Sequence, residues 1–358
     1  MPVRQTLLSA ALATVFAAGC SDRAPEPEAA RPPVGAEDPA RARLAALTPK
    51  AEAGDAAAQF ELGTLHYRGE GVPRDPAAAA QWWQKAAEQG NPNAQANLGV
   101  AYAKGEGVSR DMARAADLLQ KAAAQGNPAP QFALGVMYHK GEGVPKDAAQ
   151  ALEWYRKAAD QGVAGAQSGL GVMYYNGEGV AKDVDKAVGW YRKAAGQGHA
   201  GAQVDLGLIY LLGDGVPKDP AEAARWWRKA ADQGNAGAQY NLGKMYGQGE
   251  GVPRDPAGAV AWYRKAAEQG EPSAQLQLGW HYGTGEGVAA DGVLAYAWLD
   301  LAAAKGEQQA AALRDDLRLN AAELAEAQRL SSNWKPGQAL TREGGGSAAQ
   351  PGKPGPAS

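Results

Sequence analysis

The chain is almost free of cysteine. Its 358 residues contain one, Cys20. A single thiol cannot form a disulfide within the chain, which excludes the cross-linked scaffolds typical of small exported domains. Whatever core this protein has must therefore be held together by packing alone, even in an oxidising compartment.

Concentrated charge and long apolar runs are missing as well. The chain has 36 basic and 39 acidic side chains and a formal net charge of −3. This balance excludes the concentrated basic face that nucleic-acid binding requires. Beyond the N-terminus no run of eighteen apolar residues occurs, so the sequence predicts no membrane-spanning helix there.

The residue types of a catalytic or metal centre do not form a pattern either. The four histidines, His66, His139, His199 and His281, fall in different parts of the chain at unrelated spacings. There is no His-Glu pairing at helical spacing, no Cys-His set and no glycine-rich loop after a strand. We therefore expect no enzyme activity, no cofactor and no metal site.

What the chain does have is an internal repeat of 36 residues. The tripeptide Glu70-Gly71-Val72 occurs seven times at this spacing, with Asp214 replacing the glutamate once. A fixed period of this length is typical of stacked helical arrays. The sequence predicts an all-α fold, an α-solenoid of seven helix-turn-helix repeats over residues 51–306 with a short C-terminal helical cap over 307–334.

Each repeat carries the signals of two helices. The first is predicted from about Ala56 to Arg68, with Leu62 inward and Gly63 admitting a neighbouring helix against the backbone. Asp75 recurs in all seven copies; it could belong to a ligand set, but a helix N-cap is the favoured interpretation. Trp82 recurs in every copy except the second, which has Leu118, and is interpreted as a core wedge and not as a stacking platform.

The unit Ala-Gln-x-x-Leu-Gly-x-x-Tyr, Gly-Glu-Gly-Val, Asp, Ala-x-x-Trp-Tyr-Arg-Lys-Ala-Ala-x-Gln-Gly resembles the Sel-like repeat, a relative of the tetratricopeptide repeat. The fourth copy shows it well, from Ala166-Gln167 to Ala194-Ala195. The resemblance covers residues 55 to 306. It implies seven antiparallel helix pairs. Because proteins of that family mostly act as adaptors, it also implies an adaptor that binds other proteins.

The N-terminus has the pattern of an export signal. Arg4 precedes an apolar run from Leu7 to Ala18 that is too short to span a membrane. The run ends in Ala17-Ala18-Gly19-Cys20, which resembles the lipobox of bacterial lipoproteins, although Leu or Val is usual at position 17. The resemblance implies a signal peptide over 1–19, a lipid on Cys20 and, since Ser21 follows, an outer-membrane anchor facing the periplasm. An ordinary signal with an incidental cysteine is the alternative.

The segments on either side of the array have no core-forming composition. Residues 20–50 are rich in Pro, Ala and Glu and are predicted to be a tether. Residues 335–358, with Gly344-Gly345-Gly346, are predicted to be a disordered tail.

Partner specificity is expected at the positions of the first helix that vary between copies. They lie away from the core stripe, and in tetratricopeptide relatives the matching positions line a concave, peptide-binding groove. Apolar surface of this density is typical of a binding site, and the basic members could bind a carboxylate. The alternative is that these side chains only fill a tightly wound superhelix. We call them the groove positions: Phe60, Thr64, Tyr67, Arg68, Val100, Lys104, Phe132, Val136, His139, Lys140, Val172, Tyr175, Val204, Leu208, Leu211, Leu212, Tyr240, Lys244 and Trp280.

The sequence therefore favours a non-catalytic lipoprotein scaffold that binds a protein or peptide partner. Two alternatives remain open at this point. One is an envelope enzyme or cell-wall binder, although the cysteine pairs of the penicillin-linked relatives are absent. The other is an assembly factor for polysaccharide or pilus export, which is a special case of a scaffold.

Overall fold

The structure is a computed structural model, and it describes residues 38–342. The predicted signal peptide, Cys20, residues 21–37 of the predicted tether and residues 343–358 of the predicted tail lie outside the described residues. Residues 38–342 form 17 helices and no β-strand. No helix in this range is long and apolar enough to cross a membrane.

The chain divides into two units between His199 and Ala200. In the N-terminal unit the helices are α1 Pro39–Glu52, α2 Ala56–Arg68, α3 Pro76–Glu88, α4 Pro92–Lys104, α5 Met112–Ala124, α6 Pro128–Lys140, α7 Ala148–Asp160, α8 Ala164–Asn176 and α9 Val184–Gly196. In the C-terminal unit they are α10 Ala200–Leu212, α11 Pro220–Asp232, α12 Ala236–Gln248, α13 Pro256–Glu268, α14 Pro272–Thr284, α15 Gly292–Ala304, α16 Gln308–Asp315 and α17 Ala321–Asn333. The all-α solenoid of seven repeats is confirmed.

Each repeat contributes a first helix, called helix A, and a second helix, called helix B. The first repeat pairs α2 with α3, and the seventh pairs α14 with α15. Helix α2 ends at Gly69, whose φ of 74° is left-handed and whose N–H donates to the Leu65 carbonyl. Asp75 then caps α3 by accepting from the N–H groups of Ala77 and Ala78. The equivalent aspartate caps every helix B, so the N-cap interpretation is confirmed.

The mid-helix glycines bring helix A and helix B of one repeat together. A Cβ on Gly63 would lie 2.7 Å from the Trp83 ring, and one on Gly135 would lie 2.4 Å from the Tyr155 ring. Close packing against the helix backbone at this position is therefore confirmed. The residues that meet the seven glycines are Trp83, Leu119, Tyr155, Tyr191, Trp227, Tyr263 and Leu299.

The sequence predicts Trp82 as the core wedge of helix B. The residue that meets Gly63 is instead Trp83, one position later. Trp82 is half-buried and packs at the edge of a cluster formed by Ala51, Ala58 and Leu62, so it contacts the preceding helices. Lys85 is exposed, as expected of a last-turn lysine, and its Nζ lies 4.1 Å from the centre of the Trp82 ring. The main core residue of helix B is thus one position later than the sequence analysis placed it.

The prediction of a tether over residues 20–50 is wrong from residue 39 onward, where α1 begins. Residues 39–50 are helical, and Ala51 is buried. Gln59 donates to the Ala51 carbonyl, just as Gln95 donates to the carbonyl of Ala87 at the end of α3. Helix α1 therefore occupies the place of a helix B in front of the first repeat. The missed signal was Asp38-Pro39, which matches the Asp75-Pro76 start of α3.

The C-terminal unit ends in a packed cap. Asn320 and Glu323 form the predicted capping box of α17. Residues 335–342, predicted to be part of the disordered tail, pack back onto this unit instead: Leu340 is buried, and Arg342 pairs with Glu326 and Asp291. The Trp298 and Trp334 rings meet edge to face at 5.8 Å, which covers the last helix B.

Candidate functional site

In the N-terminal unit the side chains at several groove positions are buried inside the protein and do not line an open groove. Val100, Phe132 and Val136 are buried, so their prediction as surface residues is wrong. The reason is close approach of neighbouring helices: a Cβ on Gly165 of α8 would lie 2.6 Å from the Phe132 ring of α6. The alternative that these side chains only fill space describes this part of the array.

Other groove positions in this unit bind the glutamates of the loops. The Tyr67 hydroxyl donates to Glu106 at 2.7 Å, and His139 Nε2 lies 2.7 Å from Glu178. Although partial burial opposes it, hydrogen bonds from Asn176 and His139 hold the pKa of the Glu178 carboxyl below its usual value. Each contact joins a helix A to the loop of the following repeat. These side chains therefore hold neighbouring repeats in place. Phe60, Thr64, Lys140, Val172 and Tyr175 are half-buried, while Arg68 and Lys104 are exposed.

In the C-terminal unit the groove positions form an open surface. Three large apolar side chains within residues 38–342 are exposed: Leu208 at 46%, Leu212 at 60% and Trp280 at 37%. All three are groove positions on a helix A. Leu208, Lys244 and Trp280 occupy the same phase of α10, α12 and α14, so we call them the inner row. Val204 and Leu211 are half-buried and pack beneath this surface on the core of α11 and α12.

A cleft of about 250 Å³ opens at the Trp280 end of the inner row. The groove positions Tyr240, Lys244 and Trp280 line it together. The other lining residues were not predicted; among them, Gln277 and His281 lie on α14, and Arg254 lies in the loop before α13. His281 was noted in the sequence only as an isolated histidine, and its place beside a predicted groove residue was the available signal.

The cleft combines aromatic walls with polar groups. His281 Nδ1 lies 2.7 Å from the Glu286 carbonyl, and its ring meets Trp280 edge to face at 4.9 Å. The histidine therefore orients the tryptophan. Burial raises the pKa of the Tyr240 hydroxyl, and Glu307 and Glu271 raise it further, so the hydroxyl stays a hydrogen-bond donor.

Two cations at the cleft differ in their surroundings. Arg254 is paired with Glu286 and donates through Nε to the Gly247 carbonyl at 3.1 Å. Lys244 is exposed, and in the described part of the chain its ammonium has no carboxylate partner. Lys244 is therefore the cation available to a carboxylate on a bound molecule.

Nothing in the described range resembles a metal centre. No group of three or more His, Cys, Asp or Glu side chains between residues 38 and 342 could hold a metal ion. What the site offers is apolar and aromatic surface beside one available cation. That chemistry suits binding.

The fold defines the chain as an α-helical repeat protein, an α-solenoid. It belongs to the Sel1 repeat family, which matches residues 56–91, 92–127, 131–163, 164–199, 200–235, 236–271 and 272–307. Proteins of this family typically act as non-catalytic scaffolds for protein interactions. The family assignment confirms the resemblance that the repeats showed in the sequence.

Solved structures of similar proteins are known. A Sel1 repeat protein from Oxalobacter formigenes is 38% identical, with 77% of this chain and 80% of that one covered and a TM-score of 0.68. The protective antigen c5321 of uropathogenic Escherichia coli, which displays an SLR fold, is 30% identical over 98% of this chain and 90% of its own, with a TM-score of 0.42. No functionally curated protein matches this chain.

Proposed function

We propose that this protein is a non-catalytic, lipid-anchored adaptor of the bacterial envelope that binds an extended segment of a partner protein along the inner row of its C-terminal unit. The observation that carries the proposal is the placement of the exposed apolar side chains. Leu208, Leu212 and Trp280 all lie on groove positions of that unit. Exposed apolar surface next to polar groups is typical of protein-binding sites.

The chemistry of the inner row and of Leu212, one helix turn beyond Leu208, indicates the kind of segment that this surface binds. Leu208 and Leu212 offer an apolar patch at one end, and Trp280 offers an aromatic face at the other. Lys244 lies between them without a carboxylate partner among the described residues. We therefore expect a segment with apolar side chains on both sides of an acidic residue. Tryptophan, present here as Trp280, is also among the side chains most enriched in binding hot spots.

The anchor is proposed from the sequence alone. A lipid on Cys20 and residues 20–37 before α1 would hold the array close to a membrane. Covalent chains contribute about 0.8 kcal/mol for each buried methylene, so more than one chain gives stable attachment. The resemblance to the lipobox favours the outer membrane with the array facing the periplasm.

The test is site-specific crosslinking in the envelope of a Gram-negative host. The full chain carries a benzophenone amino acid at Leu212, one helix turn beyond Leu208 of the inner row, and a control chain carries it at the exposed residue Ala261 of α13. We expect one crosslinked protein from position 212 and none of that mass from position 261. Leu208→Asp and Trp280→Ala should each reduce the crosslink about tenfold, as expected for hot-spot residues.

Two results would contradict the proposal. One is equal crosslinking from both positions, which indicates non-specific collision. The other is a crosslink that neither substitution changes. The anchor is tested separately: Cys20→Ala should abolish incorporation of labelled fatty acid and release the protein into the soluble periplasmic fraction. If Cys20→Ala keeps the label, the lipid assignment is wrong, whatever the groove binds.

A further inference from the structure

The second repeat departs from the others at one position of its helix B. Six of the seven repeats carry tryptophan at the phase of Trp82, and the second carries Leu118. Trp82 packs against a cluster from α1 and α2, and Trp262 packs against the cluster of α11 and α12. Each of these tryptophans thus fills a space between its own helix B, its helix A and the preceding helix B. We call this space the indole slot.

The indole slots share a second feature. In five repeats the lysine three residues after the tryptophan lies over the ring, with Nζ 4.0 to 4.3 Å from its centre. Such cation–π contacts favour an indole at this position. In the second repeat the equivalent lysine, Lys121, pairs with Asp117 at 2.8 Å instead. The slot there keeps its lysine but lacks the ring.

An open cleft of about 640 Å³ lies beside this slot. Ala80 and Gln84 of α3, Leu98 and Tyr102 of α4 and Arg114 of α5 line it. Leu118 itself is buried and does not line the cleft. It packs in one cluster with Ala80 and Leu98, which do line it, so the cleft adjoins the slot that the leucine occupies. The volume of the cleft falls within the range of roughly 300 to 1,000 Å³ that is typical of ligand sites.

A second departure from the repeat occurs at the same place. Arg156 donates to the Tyr174 hydroxyl at 3.0 Å, and Arg264 donates to the Tyr282 hydroxyl at 2.9 Å. The equivalent position on α3 is Gln84, whose amide donates to Glu88 instead. The Tyr102 hydroxyl therefore has no such arginine, and it faces the cleft with its hydrogen-bonding capacity available.

The rim of the cleft carries an available cation. The Arg114 guanidinium lies 5.0 Å from the centre of the Tyr102 ring. Among the residues that the structure describes, Arg114 has no carboxylate partner. A bound group with a negative charge beside an aromatic ring would therefore complement this rim.

We propose that this cleft beside the indole slot of the second repeat is a second docking site, which receives an aromatic side chain, tryptophan above all, from a partner protein that carries a carboxylate next to it. The sibling slots support this occupant, because six of them hold an indole supplied by a polypeptide. The guanidinium of Arg114 at the rim favours a partner that carries a carboxylate next to this aromatic side chain. The site lies on the B-helix face of the N-terminal unit and does not depend on the proposed function of the inner row.

The probe is the blocked dipeptide acetyl-(5-fluoro)Trp-Glu-amide, observed by fluorine NMR as it is titrated with the purified full chain. We expect saturable broadening and a shift of its resonance. Leu118→Trp should fill the slot and weaken binding more than about tenfold, since the probe then loses the burial of its ring. Six repeats already accommodate tryptophan at this phase, so the variant should fold with an unchanged or higher melting temperature.

The carboxylate is tested with a matched pair of charge substitutions. Arg114→Gln should weaken binding of the Trp-Glu probe about two- to fivefold, the usual range for an exposed ion pair. Acetyl-(5-fluoro)Trp-Gln-amide should show the same weakening with the unaltered protein. Lys121→Gln on the same helix is the control, because its partner is Asp117, and it should leave the affinity unchanged.

The possible results separate the alternatives. Equal affinity of the Leu118→Trp variant and the unaltered protein, or no saturable binding to either, would overturn the site. If Leu118→Trp does not fold, loss of the charge effect in Arg114→Gln still decides whether the rim takes part. If free 5-fluoroindole binds as tightly as the dipeptide, the cleft takes small aromatic molecules, and the assignment to a protein side chain is wrong.

Discussion

The side-chain amide of Gln89 donates a hydrogen bond of 2.8 Å to the side-chain oxygen of Gln59, thirty residues earlier. Gln59 is buried and donates in turn to the Ala51 carbonyl at the end of the preceding helix. The first contact recurs in six repeats, with distances from 2.7 to 3.0 Å. Where both contacts are present, as at Gln59, a buried glutamine thus joins helix A to the helix before it and to the helix B after it. It also satisfies a helix-end carbonyl that would otherwise lack a partner.

We predict that Gln131→Ala destabilises the protein by about 1–3 kcal/mol, because it leaves the Ala123 carbonyl and the Gln161 amide without their partner. Gln161→Ala is the control, since it removes only the two bonds of an exposed side chain and keeps the buried bond from Gln131 to the Ala123 carbonyl, so it should cost less. Urea unfolding monitored by circular dichroism measures both. Equal stability of the Gln131→Ala variant and the unaltered protein would show that the glutamine contacts are dispensable.

The series of glutamine pairs ends at the seventh repeat, where Lys305 replaces the second glutamine. The Gln275 side-chain oxygen is consequently buried without a hydrogen-bond partner, while Lys305 donates to the Gly270 carbonyl. We predict that Lys305→Gln stabilises the protein by about 0.5–1.5 kcal/mol by supplying the missing donor. Gln125 shows that glutamine at this position also reaches the equivalent carbonyl. Lys305→Ala, which supplies no donor, should not raise the melting temperature; a gain there would refute the explanation.

A pair of glycine substitutions separates packing from helix propensity. Gly135→Ala would place a Cβ 2.4 Å from the Tyr155 ring, and we predict a loss of about 1–3 kcal/mol from overpacking. Gly189 is an exposed glycine inside α9 with no atom within 4 Å of such a Cβ. Gly189→Ala should therefore stabilise the protein by about 0.5–1 kcal/mol. Denaturant midpoints that move in the same direction for both variants would be inconsistent with this assignment.

The contact between His139 and Glu178 should make stability depend on pH. The pKa of Glu178 is lower in the folded protein than its usual value, so its carboxylate stabilises the fold at neutral pH. This contribution is lost as the pH falls through the folded pKa. We predict that Glu178→Gln lowers the melting temperature at pH 7 and that the difference from the unaltered protein shrinks below about pH 4. A difference that is constant with pH would exclude an electrostatic origin.

Much of the fold follows from short-range signals in the sequence. The predicted bounds of α2, the left-handed Gly69, the N-cap Asp75 and the capping box at Asn320 and Glu323 are all present. Each depends on residues within one helix turn of each other, and the 36-residue period repeats them seven times. The glutamine pairs escaped prediction because their partners lie thirty residues apart, although both glutamines are part of the repeat.

Short-range signals in the sequence could not distinguish the exposed groove positions from the buried ones. Phe132 and Tyr240 occupy the same phase, yet Phe132 is buried and Tyr240 lines a cleft. Exposure there depends on what the neighbouring helix presents, such as the close approach at Gly165. The same holds for residues 39–50 and 335–342, whose composition predicted a tether and a tail but whose side chains find partners in the array.

The sequence by itself determined the class of fold, the length and phase of every repeat and the residues that cap and close it, because these depend on local backbone geometry and on spacing along one helix. Only the tertiary structure decided which groove positions are open, where the array begins and ends, and that a cleft opens beside the slot that Leu118 occupies. These features depend on side chains from adjacent helices that compete for the same space, and spacing along the chain does not encode the outcome of that competition.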